Sequence, residues 1–205
     1  IIPKNYMKNI DRPKQVKVRH MVTLSVDEVK NFLSNISNVE HHALFKLAFA
    51  TGMRRSELLG LRWSDIDFKK STISISQTAL KIGSTAVISN TTKTTSSKRI
   101  IAIDTETLQE LLKHKTVIDK RRIKTMNWIN NNLVFPGIKG APRCPDEVSK
   151  LCKKYASLIG KPTFTMHGTR HTHATLLIEN GANMKAIQER LGHASFQETM
   201  DTYSH

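Results

Sequence analysis

Four stretches of this 205-residue chain concentrate side chains that bind phosphates or move protons: "TGMRRSE" from Thr51, "TTKTTSSKR" from Thr91, "HGTRHTH" from His167 and "LGHASFQETMDTYSH" from Leu191. Arg54 follows a glycine at the start of a helical stretch, where a guanidinium can be aimed and nearby backbone N–H groups add positive potential. Glu57, three residues on, shares its helical face and can orient it, although the same spacing also suits a surface salt bridge. Lys93 sits in a Ser/Thr-rich loop between two strands, where a long ammonium can reach an oxygen from above. His167 and Arg170 present an imidazole and a guanidinium on one face. That pairing suits a phosphate better than a metal, because arginine does not ligate. His171 and His173 point to other faces and read as packing or supporting hydrogen-bond groups. His193 follows a Leu-Gly helix end, and Tyr203 lies ten residues later. A phenol with a pKa near 10 attacks at neutral pH only with hydrogen-bonding or cationic help.

These clusters need elements to position them. Ser25 and Glu28 have capping-box spacing, and Val29, Phe32, Leu33 and Ile36 then fall on one helical face. A second helix is expected around 40–50, ending at Gly52. The period then changes to two: "STISIS", "TAVIS" and "RIIAI" predict a small three-stranded antiparallel sheet at about 71–103. Helices resume at roughly 106–122, 145–159 (with Pro145 in its first turn), 168–180 and 183–191. Ser195 and Glu198 repeat the capping-box spacing, so a short helix is expected to carry Tyr203 about two turns along. The fold class is α+β, mainly α-helical.

Lysine plus arginine number 32 and aspartate plus glutamate 17, a formal charge of +15. Such an excess points to a polyanionic partner, and nucleic acid is the common one. Cys144 and Cys152 fit neither a disulfide framework nor the usual zinc spacings, which suggests a reduced, cytoplasmic setting. No run approaches a membrane span. Residues 1–22 carry two prolines, many cations and no apolar periodicity, as a basic linker that follows a duplex backbone would.

"TGMRRSELLGLRWSDID", "TKTTSSKRIIAI", "HGTRHTHATLLIENGANMKAIQERLGH" and the spacing L-G-H-x9-Y, in this order, resemble the catalytic domain of the tyrosine recombinases, the phage integrase family. The resemblance runs from about residue 22 to the end. It implies a helical catalytic domain over 23–205 preceded by a linker, 1–22, from a DNA-binding domain outside this sequence. It also implies site roles: Arg54 and Arg170 as catalytic arginines, Glu57 as the supporting acid, Lys93 as the hairpin lysine, His167 and His193 as the histidines, and Tyr203 as nucleophile. Lys81 and Lys98 flank the same hairpin. The chemistry implied is strand cleavage and rejoining through a covalent 3′-phosphotyrosine, with no cofactor and no metal. The expected partners are double-stranded DNA at attachment or core sites, further copies of the protein in a tetramer, and an accessory excision factor. The expected setting is a bacterial cytoplasm. A phage or conjugative-element integrase leads; a chromosome-dimer resolvase, a type IB topoisomerase-like relaxer and a catalytically silent DNA-binding module are the alternatives. A histidine-metal nuclease would need carboxylates among the histidines, and "HGTRHTH" offers none.

Overall fold

The computed structural model describes residues 22–83, 85–89 and 99–192. Seven α-helices and five strands lie within them, in the order α1 (Val26–Ser34), α2 (Val39–Thr51), α3 (Arg55–Gly60), β1 (Ile66–Asp67), β2 (Thr72–Ile75), β3 (Thr78–Ile82), β4 (Thr85–Ser89), β5 (Arg99–Ala102), α4 (Thr105–Lys124), α5 (Pro145–Leu158), α6 (Met166–Glu179) and α7 (Met184–Leu191).

Local chemistry sets most boundaries. The α1 capping box closes reciprocally, with the Glu28 N–H donating to Ser25 Oγ and the Ser25 N–H to Glu28 Oε2. Asp104, Thr165 and Asn183 cap α4, α6 and α7 through their side chains. Pro145 opens α5, where a missing N–H costs nothing. Gly52 and Gly192 end α2 and α7 in the left-handed conformation, at φ 63° and 66°.

The central element is α2, buried along most of its length from Ala43 to Thr51. It packs against α4 on one side and α6 on the other. A burial this complete explains why "ALFKLAFA" shows no amphipathic period. Around it Phe32, Phe45, Phe49, Tyr155 and Phe164 join α1, α2 and α5, mostly edge to face; Phe32 lies 5.2 Å from Phe45 and 5.4 Å from Phe49. A separate small cluster of Ala174, Ile187 and Leu191 seats α7 on α6.

The sheet differs in membership from the expected one. The three strands that pair are β1, β2 and β5, in that order and antiparallel, with Ile73 opposite both Ile66 and Ile101. "TAVIS", which is β4, instead folds back on β3 as a separate hairpin. Within "STISIS" the strand β2 ends at Ile75, and just beyond it the buried Gln77 side chain turns inward and donates to Gly60 O. The chain after it pairs in the β3–β4 hairpin rather than in the sheet. The helix expected from 168 begins at Met166, since Thr165 rather than a later residue caps it.

Candidate active site

Arg54 is the N-cap residue of α3, in extended conformation, immediately after the turn that ends α2. Its backbone N–H donates to Glu57 Oε2 at 2.8 Å, and its guanidinium donates through Nη1 to Glu57 Oε1 at 3.2 Å and through Nη2 to the Gly192 carbonyl at 3.0 Å. The adjacent Arg55 turns the other way, onto α5, where it donates to Pro145 O and Ser149 Oγ. The "RR" pair is thus divided between two tasks.

Arg170 comes from the second turn of α6 and is 2% exposed. It donates through Nη1 to Gly52 O at 2.9 Å and through Nη2 to Leu191 O at 2.8 Å. His167, one turn earlier, is exposed and meets His171 edge to face at 4.5 Å. Arg54, Arg55, Ser149, Thr165, His167 and Arg170 line a cleft of about 390 Å³. Its cations converge from the α2–α3 turn and from α6. A phosphate diester placed there faces the positive charge of Arg54 and Arg170 and the neighbouring His167 imidazole.

Of the residues singled out in the sequence, Arg54, His167 and Arg170 are described and line this cleft, while Glu57 is buried beside Arg54 and is not part of the lining. Lys93, His193 and Tyr203, with the short helix expected from Ser195, lie outside the described residues, as does Lys98. Lys81, near the tip of the β3–β4 hairpin, forms an ion pair with Asp146 at 2.6 Å. Among the described residues no three His, Cys, Asp or Glu side chains converge in a way that could hold a metal ion, and no helix is long and apolar enough to cross a membrane.

Two arginines that sequence reasoning passed over complete the cluster. Arg99, the first residue of β5, holds Glu57 with both arms of its fork, Nη1 to Oε1 at 3.0 Å and Nη2 to Oε2 at 2.9 Å, while its Nε donates to Arg190 O at 2.7 Å. Burial on its own would raise the Glu57 carboxyl, but the hydrogen bonds and charge of Arg99, helped by Arg54, hold it below its usual value. Glu57 is therefore an ionised acid between two guanidiniums.

Arg190, in the last turn of α7, donates through Nε to His173 Nε2 at 3.0 Å and through Nη2 to the carbonyls of Ala50 and Ala102. An arginine only donates, so His173 Nε2 is the acceptor and its proton sits on Nδ1, which donates to Phe49 O at 2.8 Å. Burial, with the Arg190 and Arg170 charges, pushes His173 down to about 4. It is a neutral acceptor at pH 7.

The signal for Arg99 was present in the strand itself. Ile101 and Ile103 face the core and Ile100 faces out, so period-two alternation puts Arg99 inward, where a cation requires a buried carboxylate.

The phage integrase family model matches residues 23–205. The chain is 30% identical over 210 residues to the integrase of Staphylococcus phage L54a, covering 97% of this chain and 59% of the relative. It is 32% identical to tyrosine recombinase XerD of Halalkalibacterium halodurans, covering 96% and 61%. Among solved structures, the Tn1549 transposon integrase in complex with a circular intermediate DNA superposes with TM-score 0.77 at 25% identity, covering 92% of this chain and 63% of that one. The XerA recombinase superposes with TM-score 0.70 at 26% identity, covering 95% and 62%. The chain spans 59–61% of the length of these two curated relatives. With a helical core, a small antiparallel sheet and paired arginines over one cleft, and with a family match that runs from residue 23 to the last residue, this chain belongs to the phage integrase family of tyrosine recombinases, which are DNA breaking and rejoining enzymes.

Proposed function

We propose that this chain is the catalytic part of a site-specific DNA recombinase that integrates and excises a phage or conjugative element. The observation that carries the reading is the convergence of Arg54 and Arg170 on one cleft beside His167, in a chain whose family motif continues to Tyr203. Tyr203 attacks a DNA phosphodiester in line and becomes joined to the 3′ phosphate, releasing a 5′ hydroxyl. The phosphotyrosine keeps the bond energy, so the 5′ hydroxyl of another strand reverses the step without ATP. Arg54 and Arg170 take the charge that grows on the non-bridging oxygens, and His193 donates a further hydrogen bond to them. His167 accepts the tyrosine proton and Lys93 protonates the departing 5′ oxygen; both roles reverse on rejoining. The partners are duplex DNA at an attachment or core site, further copies of the protein assembled as a tetramer on it, and an accessory factor for excision. The setting is the cytoplasm of a bacterial cell. Residues 1–22 serve as the linker from a separate DNA-binding domain.

A second reading is resolution of chromosome dimers, since the similarity extends to tyrosine recombinases not named as phage or element integrases. The same experiment separates the two. The chain is incubated with chelator on a pool of nicked duplexes with a randomised core, and covalent adducts are captured and sequenced. Wild type is expected to yield 3′ adducts and Tyr203→Phe none. Failure of the wild type, or equal yield from Tyr203→Phe, overturns the nucleophile assignment. Recovered cores that match the ends of a mobile element support the integrase reading; cores that match one chromosomal locus support the resolvase.

A further inference from the structure

Three consecutive carbonyls at the end of α7 each accept from a different arginine. Arg190 O takes Nε of Arg99, Leu191 O takes Nη2 of Arg170, and Gly192 O takes Nη2 of Arg54. The last carbonyls of a helix lack intrahelical donors, and cations are favoured there. Here that requirement is met by guanidiniums from β5, α6 and the α2–α3 turn. The clamp matters because α7 is eight residues long and buries only Ile187 and Leu191. So little apolar area fixes where a helix lies, but not its rotation or depth to within an ångström.

Of the three arginines, Arg99 is the one outside the cleft. Its side chain is 7% exposed, and all three of its guanidinium nitrogens are engaged, two on Glu57 and one on α7. Glu57 in turn holds Arg54. Arg99 also approaches the turn so closely that a Cβ on Gly192 would sit 2.9 Å from its Nη1.

We propose that Arg99 is a positioning residue for strand cleavage: by locking the Glu57 carboxylate and the last turn of α7 into one unit, it holds Arg54 and Arg170 in fixed register with the end of α7 at Gly192. This rests on the recombinase reading above. Arg99 touches no reacting atom. Neutralising Glu57 is a smaller task that any cation at this position performs; binding a carboxylate with two nitrogens and a carbonyl with the third requires a guanidinium.

Arg99→Lys separates the two, since it keeps the charge and loses the three-way geometry. The 205-residue chain and the R99K variant are compared on a nicked duplex carrying a core recovered from the adduct selection. R99K is expected to bind that duplex within about threefold of wild type, yet to form covalent adduct roughly 10- to 100-fold more slowly, the loss that an ångström-scale misplacement produces. Amide hydrogen exchange over residues 188–192 is expected to speed up in R99K with or without DNA. The paired variant R99Q/E57Q removes both charges of the buried pair together and so keeps the fold should R99K not. It is expected to lose cleavage by a similar factor, and adding E57Q to R99K is expected to cost little more, because residues acting through one network are not additive. Cleavage by R99K or R99Q/E57Q within threefold of wild type overturns this inference alone. So does a rate loss that only follows the loss of folded protein. A selection in which wild type yields no adduct, and so no core, overturns the recombinase reading instead, and the exchange measurement without DNA still reports on the clamp.

Discussion

At the residue scale, His173 shows how a single proton is fixed by its surroundings. Its Nε2 must accept from Arg190, so protonating that nitrogen breaks the bond and places a third cation among Arg170 and Arg190. With the folded value near 4 and an unfolded value near 6.5, the unfolded chain binds more protons between those pH values. Stability is therefore fully present above about pH 6.5 and is lost as pH falls toward 4. Urea unfolding at pH 7 and pH 5 is expected to differ by about 2 kcal/mol from this residue. His41 and His114, also lowered by burial, add to the loss with the same sign. The test is the difference between proteins: His173→Gln retains an acceptor for Arg190 and is expected to flatten the slope by that amount. An unchanged slope means that His173 does not titrate this way.

At the scale of elements, the candidate cleft depends on how the α2–α3 turn meets α7. Gly52 ends α2 at φ 63°, and a Cβ there would lie 2.7 Å from both the His173 ring and the Leu191 side chain. Its carbonyl also receives Arg170. Gly52→Ala is expected to cost about 2–4 kcal/mol, combining left-handed strain with overpacking. Gly181 provides the control, since it has φ 75° and nothing within 4 Å of its would-be Cβ. Gly181→Ala is expected to cost only the strain, about 1–2 kcal/mol, in the same denaturation measurement. Equal losses would show that the crowding against α7 is not real. Both glycines were visible in the sequence as helix ends. That one of them is also a contact surface was not, because the side chains it touches come from residues 173 and 191.

The same distinction runs through the sheet. The alternation in "STISIS", "TAVIS" and "RIIAI" marked three strands correctly, but alternation carries no information about partners. The structure pairs β2 with β1 and β5, so that Ile73 lies opposite Ile66 and Ile101, while Gln77 between β2 and β3 donates to Gly60 O.

At the scale of the whole molecule, the excess of 32 cations over 17 anions is the property most directly tied to the polyanion this family works on. Part of that excess is turned inward: Arg99 holds the buried Glu57 carboxylate, and Arg170 and Arg190 donate to backbone carbonyls. Further cations pair with carboxylates, among them Arg62, Lys81, Arg121 and Lys161; under the function proposed above, the net excess is what meets a duplex backbone. Affinity for nicked duplex is expected to fall log-linearly with salt. A footprint neutralising about six phosphates gives a slope near −5, or roughly a thousandfold loss between 50 and 200 mM. A slope flatter than about −2, read by titration at several salt concentrations, would mean that the charge is not spent on phosphates.

The sequence by itself determined what short-range physics determines. Capping side chains act within three residues, helix-ending glycines act on their own backbone, and apolar periodicity spans one element. The helices, their ends and the family motif were therefore legible, and with them Arg54, Glu57, His167 and Arg170 as candidates. Only the tertiary structure decided that Glu57 is shared with Arg99, 42 residues away, that Arg54 reaches Gly192 across 138 residues, and that His173 carries its proton on Nδ1. Those bonds form only once packing has brought distant backbone carbonyls and guanidiniums within 3 Å or so, and no local pattern encodes which donor will arrive.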